Sequence, residues 1–547
     1  MKRRPGGSSV PPLLRLRLLP WCLLALLAAC TRETRVQEGD REGILNEGVG
    51  YELVDLDPQL TTGTAAQTIA SALFEGLVRE DGRDLHPVPG VAQSWDESRD
   101  GLHYTFHLRP DAKWSDGAPV TAGDFVQSWR RILTPTLGAE NANLLFVLRG
   151  AEDFNRGRTG DFSAVGVRAD DPRTLSVTLA HPAPYFLSLL CTMAWLPVPV
   201  GVIAAHGPLY TPGSPWTRAG VLVGNGPFTL ASWRPDEAVV VTKSATYWDR
   251  ARERLNGIRF YPIDSTDAEE RAFRAGQLHL TDALPAGHLD AYRDASPPVL
   301  RIDPYLATYF YRLNVRRPFL RDARIRRALA LAVDREAIVA RILRGGQRPA
   351  AAFTPPGLSG YTPDPLLATD YARARALLAA AGHPGGAGLP VFELSLNNSE
   401  NHQLIAEAVA ETWRREMGVR VRILSQENKT LLAARSTGSY DILRSDWVAD
   451  YPDPTSFLNV WRSDSGNNLT GWADPRYDAL LRAADDSSDP ATRVRLWRQA
   501  EDELLHSAPI VPIYYYTHVF LIRPSVRGWY PNLLDHHPFQ EVWLYRQ

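Results

Sequence analysis

The sequence predicts a mixed α/β fold, and two features of the chain support this class. Runs rich in β-branched and aromatic residues have strand character, at 104–108, 174–179 and 238–242. Segments with the apolar spacing of a helix are interspersed with them, at 122–133, 370–381, 402–417 and 490–505. We find no internal repeat. Because strands and helices are mixed along the whole chain, the sequence indicates an α/β or α+β architecture.

Residues 1–29 have the pattern of a lipoprotein signal peptide. The basic start Lys2-Arg3-Arg4 precedes an apolar run at 18–29 that is too short for a permanent membrane span. The run ends in Leu27-Ala28-Ala29-Cys30, which resembles the bacterial lipobox. The sequence therefore predicts a lipid anchor on Cys30 and a location outside the cytoplasm, in the periplasm or on the cell surface. An ordinary secretory signal is the alternative, and it implies the same side of the membrane.

Size and cysteine content constrain the rest of the chain. A length of 547 residues suggests about three domains. Cys22 leaves with the signal and Cys30 carries lipid, so Cys191 is left alone and no internal disulfide is expected. Stability must then come from a large core. The polar segment 30–43 lacks periodicity, and we predict that it is a lipidated tether.

Several classes of function are disfavoured. A formal net charge of −2 argues against a nucleic-acid partner, and no HExxH, GxSxG or GxxxxGK[ST] motif is present. The segment 224–227 lacks the glycines and the following helix of a phosphate loop, and 450–454 lacks the glycine and glutamate of a calcium loop. We interpret His536 and His537 as surface residues. We therefore expect no metal, no cofactor and no enzymatic activity.

Sequence blocks spread over the chain resemble one family, the oligopeptide-, dipeptide- and nickel-binding proteins of ABC importers. The blocks are LFEGL at 73–77, PVPGVAQSW at 87–95, YTFHLR at 104–109, AKWSDGAPVTAGDF at 112–125, NGPFTL at 225–230, DPYL at 303–306, ADY at 449–451, PTSFLN at 454–459 and PIYYY at 512–516. They are most similar to the periplasmic oligopeptide-binding members.

The resemblance implies a two-lobed clamp with an additional domain. Lobe I is then built from residues 44–74, 206–306 and 516–547, the inserted domain II from 75–205, and lobe II from 307–515. Ligand lies between the lobes and is buried when they close by a hinge motion. Closure removes solvent, so the charged ends of a ligand must be matched by protein groups.

The resemblance also implies a set of ligand-binding residues. Asp450 pairs with the α-ammonium of a peptide, while Arg444 and His402 face its carboxylate. The peptide backbone adds as a strand beside 443–448 and 305–311. The other residues expected at the ligand are Trp447, Val448, Tyr309, Asn428, Arg435 and Tyr515. From the residues alone, Asp450 also suits a turn, Arg444 a solvated strand edge, His402 a surface helix and the tyrosines a core.

The chain departs from the enteric oligopeptide-binding pattern at a few of these positions. Ala307 and Val448 stand where cysteines are expected, and Asn428 stands where a tryptophan is common. Ala330 replaces a lysine. Arg326 or Arg327, on the same helix face, could restore that charge or be an ordinary surface cation, and we expect tri- and tetrapeptides to bind more tightly than pentapeptides. These departures bear on peptide length and side-chain preference.

We therefore predict a monomeric extracytoplasmic binding lipoprotein. Its expected partners are short peptides and the permease and ATPase of an ABC importer, with the membrane reached through the lipid on Cys30. The alternatives are a murein-peptide receptor, a peptide-sensing signalling lipoprotein and, least favoured, a periplasmic hydrolase.

Overall fold

The computed structural model describes residues 33–487 and 489–545, so the predicted signal peptide and Cys30 lie outside the described residues. The described part of the predicted tether is a helix, α1 (Arg35–Glu42), which corrects that prediction. Thr34 and Gln37 form a capping box at its start, and Gly43 ends it with a left-handed φ of 73°. Gly39 packs against the Ile44 carbonyl so closely that a Cβ there would lie 2.3 Å from the oxygen.

The first half of the chain contains most of the predicted lobe I and the predicted inserted domain, and these names are kept below for the predicted ranges. After α1 its elements are β1 (Ile44–Gly48), α2 (Thr64–Leu73), β2 (Val78–Glu80), β3 (Pro87–Pro89), β4 (Ala92–Glu97), β5 (His103–Leu108), α3 (Ala122–Leu133), α4 (Ala151–Asn155), β6 (Val167–Asp171), β7 (Thr174–Thr178), α5 (Phe186–Leu189), α6 (Val200–His206), β8 (Phe228–Arg234), β9 (Ala238–Lys243), β10 (Gly257–Tyr261), α7 (Thr266–Arg274) and α8 (Leu289–Arg293). The lobe I sheet has the strand order β1-β10-β9-β8, and the inserted domain has the antiparallel order β4-β5-β7-β6.

The second half builds lobe II and returns to lobe I. Its elements are β11 (Leu300–Leu313), α9 (Ala323–Leu331), α10 (Arg335–Ala337), β12 (Arg348–Pro349), α11 (Tyr371–Ala380), β13 (Phe392–Asn397), α12 (Glu400–Met417), β14 (Val421–Gln426), α13 (Asn428–Thr437), β15 (Ile442–Val448), α14 (Thr455–Leu458), α15 (Pro475–Asp485), α16 (Pro490–Ser507), β16 (Ile510–Leu521), β17 (Val526–Arg527) and β18 (Trp543–Leu544). Lobe II is a mixed sheet with the order β12-β16-β11-β15-β13-β14.

The predicted fold class is confirmed. Each strand and helix predicted above is present, and its ends lie within two residues of the predicted ends. Among the described residues, none of the helices combines the length and the apolar character that a membrane span requires.

Two long antiparallel strands, β11 and β16, run from lobe I into lobe II. One register shift lies between Tyr309 and Phe310, and another separates the regular stretch from Leu300 to Pro304 from the pairing that resumes at Thr308. The predicted lobe boundaries, between 306 and 307 and between 515 and 516, lie at this shift. Because a register shift locally interrupts the ladder of hydrogen bonds, the strand pair is least regular where the two lobes join.

A buried ion pair ties lobe I to the inserted domain. Arg131 on α3 donates two hydrogen bonds to the Asp57 carboxylate, at 2.7 and 3.2 Å, and both side chains are almost fully buried. Arg131 also donates to Gln59, and the Trp216 indole donates to Asp57. Since every partner is charged or hydrogen-bonded, the desolvation cost of the pair is compensated within the network.

A candidate peptide-binding cleft

Strand β15 carries the predicted binding residues and places them on two faces of the lobe II sheet. Side chains alternate along a strand, so Arg444, Asp446 and Val448 point to one face and Ser445 and Trp447 to the other. We call the first of these the tyrosine face, because it also bears Tyr309 and Tyr311 of β11 and Tyr514 and Tyr516 of β16.

One edge of β15 is largely free. Its pairing with β13 is confined to Ile442 and Leu443, whereas its pairing with β11 continues to Val448. Backbone groups from Arg444 to Val448 therefore have no strand partner on the β13 side among the described strands. A free strand edge is the surface on which an extended peptide adds by main-chain hydrogen bonds.

Arg444 is the central charged group of the tyrosine face. Its guanidinium donates to the Tyr516 hydroxyl at 2.9 Å and lies 3.1 Å from the Asp446 carboxylate. The guanidinium carbon is 4.9 Å from the centre of the Tyr309 ring. Burial alone lowers the pKa of Arg444, but the Asp446 charge and the neighbouring tyrosines raise it overall, so the group stays charged.

Several buried polar atoms on this face have no hydrogen-bond partner among the described residues: Nε of Arg444, Nδ1 of His402 and the hydroxyls of Tyr309 and Tyr311. The two tyrosines are fully buried. Burial and the Arg444 charge hold the pKa of His402 well below its usual value. The lowered pKa favours the uncharged ring, and the position of His402 beside a peptide carboxylate stays a prediction. An unsatisfied buried polar atom is costly, so such a set indicates a place for a polar ligand group.

The opposite face receives the other predicted residues. Trp447 donates its indole N–H to the Ser456 carbonyl at 2.7 Å, and the Tyr515 hydroxyl donates to the Ala352 carbonyl at 3.0 Å. Tyr515 thus lies away from Arg444, because strand alternation points Tyr514 and Tyr516, and not Tyr515, to the tyrosine face. This placement corrects the prediction for Tyr515.

Helix α13 flanks the same side of β15 and begins at Asn428. Arg435, one residue of its last turn, lies 3.7 Å from the Glu140 carboxylate of the inserted domain. The Nε atom of Arg435 has no hydrogen-bond partner among the residues described. Arg435 therefore belongs to the seam between lobe II and the inserted domain, apart from Arg444.

Asp450 follows the free edge directly. Its main-chain N–H donates to the Ser456 hydroxyl at 2.8 Å, but within the described ranges its carboxylate has neither a hydrogen-bond donor nor an ion-pair partner. Burial raises the pKa of Asp450 to about 7, although the His536 charge opposes this. A half-buried carboxylate without a direct ion-pair partner is a site that an ammonium group can neutralise.

The cleft around these residues is closed. Tyr185 of the inserted domain stacks on Tyr451 of lobe II at 4.9 Å between ring centres. An ion pair joins Arg156 of the inserted domain to Asp464 of lobe II. On the lobe I side, Asp290 pairs with Arg344 at 2.7 Å. These contacts bring all three units against one another.

The two C-terminal histidines are not surface residues, which corrects the prediction. His536 lies 2.6 Å from the Glu80 carboxylate, which raises its pKa despite burial. His537 lies 2.9 Å from Asp535 and stacks on Trp529 at 3.9 Å. Both rings are held in structural contacts that a sequence pattern does not reveal.

The two positions where cysteines were expected, Ala307 and Val448, are directly opposite each other on β11 and β15. In the part of the chain that the structure describes, the single cysteine is Cys191, which is free. Burial raises the pKa of its thiol, so it behaves as a small apolar side chain.

The departure at Ala330 is not compensated by Arg326. Ala330 is fully buried inside lobe II. Arg326 donates to the main-chain oxygens of Ser507, Leu320 and Arg321. Its guanidinium is therefore used by carbonyl groups within lobe II and does not reach the cleft.

Two residues of the cleft were missed by the sequence reasoning, Asp446 and Tyr516. Asp446 lies two residues after Arg444, and the two-residue period of a strand was sufficient to place both on one face. Tyr516 was one of the tyrosines that also suit a core, and its bond to Arg444 depends on the register of β16 with β11.

Known proteins resemble the chain over nearly its whole length. The periplasmic oligopeptide-binding protein OppA of Escherichia coli is 37% identical over 489 residues, which cover 88% of each chain. The probable deoxycholate-binding periplasmic protein YgiS of Escherichia coli is also 37% identical, over 86% of this chain and 88% of YgiS.

Two solved structures of a relative help to decide whether the cleft is open or closed. The Escherichia coli murein tripeptide-binding protein MppA superposes with a TM-score of 0.87 at 34% identity, over 92% of this chain and 98% of MppA. An MppA structure described as the unliganded open form gives a TM-score of only 0.63 over the same share of this chain. The arrangement of the lobes therefore differs from the open form, in agreement with the contacts across the cleft.

The family model that matches residues 86–469 is that of the bacterial extracellular solute-binding proteins, family 5. With this match, the similarity to OppA and the two-lobed fold, the predicted family is confirmed: the chain belongs to the family 5 extracellular solute-binding proteins.

Proposed function

We propose that this protein captures short peptides outside the cytoplasmic membrane and delivers them to the permease and ATPase of an ABC importer. The observation that carries the proposal is the Asp450 carboxylate, which lies without a direct ion-pair partner at the end of a free strand edge inside a closed cleft. A peptide supplies both missing groups, an ammonium and an extended backbone. In this proposal the protein acts as a monomer and catalyses no reaction.

The length of the free edge of β15 indicates how long a ligand the cleft accepts. From Arg444 to Asp450 the chain advances six residues, or about 20 Å at roughly 3.3 Å per residue. A peptide of three to five residues spans roughly 10 to 18 Å when extended. Binding through main-chain groups is indifferent to side-chain identity, which favours a broad range of sequences.

The carboxylate end of the peptide is assigned to the polar atoms that remain without a partner. On the tyrosine face these are Nε of Arg444 and Nδ1 of His402, in its Nδ1–H tautomer, with the hydroxyls of Tyr309 and Tyr311 beside them. Arg435 lies on the other side of the strand beside Glu140, so Arg444 supplies the positive charge for the carboxylate.

A murein-peptide receptor is the second candidate, supported by the similarity to the murein tripeptide-binding protein. A bile-acid receptor is suggested by the similarity to YgiS, but deoxycholate carries a carboxylate and no ammonium, so it leaves Asp450 unpaired. Calorimetry with trialanine, a murein tripeptide and deoxycholate distinguishes the three candidate functions. We expect heat from peptides only, and binding of deoxycholate alone would overturn the proposal.

Binding should depend on pH with an optimum between about 7 and 8. Below pH 7 the Asp450 carboxylate of the empty site is protonated, so the affinity falls about tenfold per pH unit. Above roughly pH 8 the peptide loses its ammonium charge. Calorimetry from pH 5 to 9, with circular dichroism confirming the fold, measures both limbs. The acid limb should be absent in Asp450→Asn, and its persistence there would assign it to another group.

The lipid anchor is proposed on Cys30, from the lipobox alone. Thr34, which caps α1 on lobe I, follows four residues later, so at most about 14 Å of chain separates the lobe from the lipid. Cys30→Ala should abolish incorporation of labelled palmitate and release the protein from membranes, whereas Cys191→Ala should leave both unchanged. Continued labelling of the Cys30 variant would show that the anchor lies elsewhere.

A further inference from the structure

The guanidinium of Arg444 is in contact with protein groups at two of its three nitrogens. Nη1 lies 3.1 Å from the Asp446 carboxylate and donates to the Asn397 side-chain oxygen at 3.4 Å. Nη2 donates to the Tyr516 hydroxyl at 2.9 Å. In the described part of the chain, Nε is the nitrogen left without a hydrogen-bond partner. A ligand carboxylate at Arg444 therefore meets a guanidinium that already has a counter-ion.

That counter-ion, Asp446, is held beside Arg444 by the strand itself. The two residues are two positions apart on β15, so both side chains point to the tyrosine face. The Asp446 side chain is 41% exposed, against 11% for Arg444. Among the described residues, Arg444 is the single ion-pair partner of Asp446. The acid thus stands at the ligand side of the arginine, on the same rigid element.

The pair offsets the positive charge that a peptide carboxylate would meet on this face. Arg444 contributes one positive charge and Asp446 one negative charge, and the lowered pKa of His402 favours its uncharged ring. A carboxylate next to Nε is attracted by Arg444 and repelled by Asp446, which lies against the same guanidinium. The net gain from the charge of the carboxylate is therefore small.

The amino end of a peptide meets the opposite situation at Asp450. Within the described ranges the Asp450 carboxylate has no direct ion-pair partner, so a peptide ammonium receives its full attraction. At Arg444 the corresponding charge is already paired. The chain therefore offers an unpaired charge to the amino end of a peptide and a paired charge to its carboxyl end.

We propose that Asp446 determines specificity as an internal counter-ion of Arg444, so that the protein selects the charged amino end of a peptide and tolerates an uncharged carboxyl end. The inference rests on the proposed peptide-binding function. It adds a substrate class, peptides with an amidated carboxyl end and longer peptides that place a main-chain carbonyl beside Arg444. A carbonyl oxygen accepts a hydrogen bond from Nε as a carboxylate does, and it carries no full charge for Asp446 to repel.

The test compares trialanine with trialanine amide, which lacks the carboxylate charge. Both are titrated by calorimetry into the full chain after bound ligand has been removed. The wild type should bind them within about threefold of each other. Asp446→Asn keeps the side-chain shape and removes the charge, so it should bind trialanine about 10- to 100-fold more tightly than the amide. Asp111→Asn, an exposed acid of the inserted domain, should keep the wild-type ratio.

A double variant shows whether Asp446 acts through Arg444. In Asp446→Asn combined with Arg444→Gln, the ratio of the two affinities should return to about threefold or less. The preference for trialanine over N-acetyl-trialanine should be the same in Asp446→Asn as in the wild type, because Asp450 is intact. A purely structural role of Asp446 would weaken the binding of all three peptides alike and would leave both ratios unchanged.

The outcomes separate this inference from the proposed function. A ratio that changes less than threefold between the wild type and Asp446→Asn overturns the counter-ion role, while binding of trialanine leaves peptide capture standing. A raised ratio that persists in the double variant also overturns it, since the effect then does not pass through Arg444. If neither trialanine nor its amide binds to the folded wild type, the proposed function itself fails, and this inference with it.

Discussion

Replacing Asp450 by asparagine should weaken the binding of trialanine roughly 100- to several-thousand-fold. The ammonium of the peptide would then be buried against a neutral amide, and an unpaired buried charge costs about 3–5 kcal/mol, with each 1.4 kcal/mol equal to a factor of ten. Since the carboxylate has no other partner in the described chain, the substitution breaks no internal ion pair and should leave the fold intact.

Calorimetry with trialanine and N-acetyl-trialanine measures the effect. The wild-type protein should discriminate strongly against the acetylated form, and Asp450→Asn should bind both weakly and to a similar extent. Asp111→Asn, an exposed acid outside the cleft, serves as the matched control. Equal affinity of the wild type for the two peptides would remove Asp450 from the site.

Replacing Asp57 by alanine should lower the free energy of unfolding by about 3–5 kcal/mol, because it strands the buried Arg131 guanidinium. Gln59 and the Leu209 carbonyl would remain as hydrogen-bond acceptors but supply no charge. The loss should be concentrated where lobe I meets the inserted domain. Urea denaturation should therefore show a lower midpoint, and hydrogen exchange should in addition show reduced protection of the amides of α3.

The control for this prediction is Glu33→Ala, which removes the exposed partner of Arg41. Exposed ion pairs contribute little, so the urea midpoint of that variant should stay near the wild-type value. A midpoint for Asp57→Ala indistinguishable from that of Glu33→Ala would show that the buried pair does not couple lobe I to the inserted domain.

Local sequence signals predicted the regular elements well. Helix α3 begins and ends where the apolar spacing of 122–133 placed it, because Thr121 and Asp124 form a capping box at its start. Helix α1 carries the same kind of signal in Thr34 and Gln37, and the polarity of the segment concealed it. The capping pattern is thus a better guide to a helix at this terminus than hydrophobic periodicity.

The candidate site depended more on contacts between distant segments. Asp450 and Arg444 carry signals in the sequence, but the free edge of β15 exists because β13 stops pairing at Leu443, which no local pattern encodes. The neutral state of His402 follows from its burial next to Arg444. Tyr515 was expected at the ligand, but the alternation of side chains along β16 points it to the face opposite Arg444.

Native mass spectrometry of gently purified protein tests the central proposal most directly. The protein should retain adducts with the masses of short peptides, which trialanine displaces and deoxycholate does not, and Asp450→Asn should lose them. Retention of a ligand without an amino group, or displacement by deoxycholate but not by trialanine, would contradict peptide capture through Asp450.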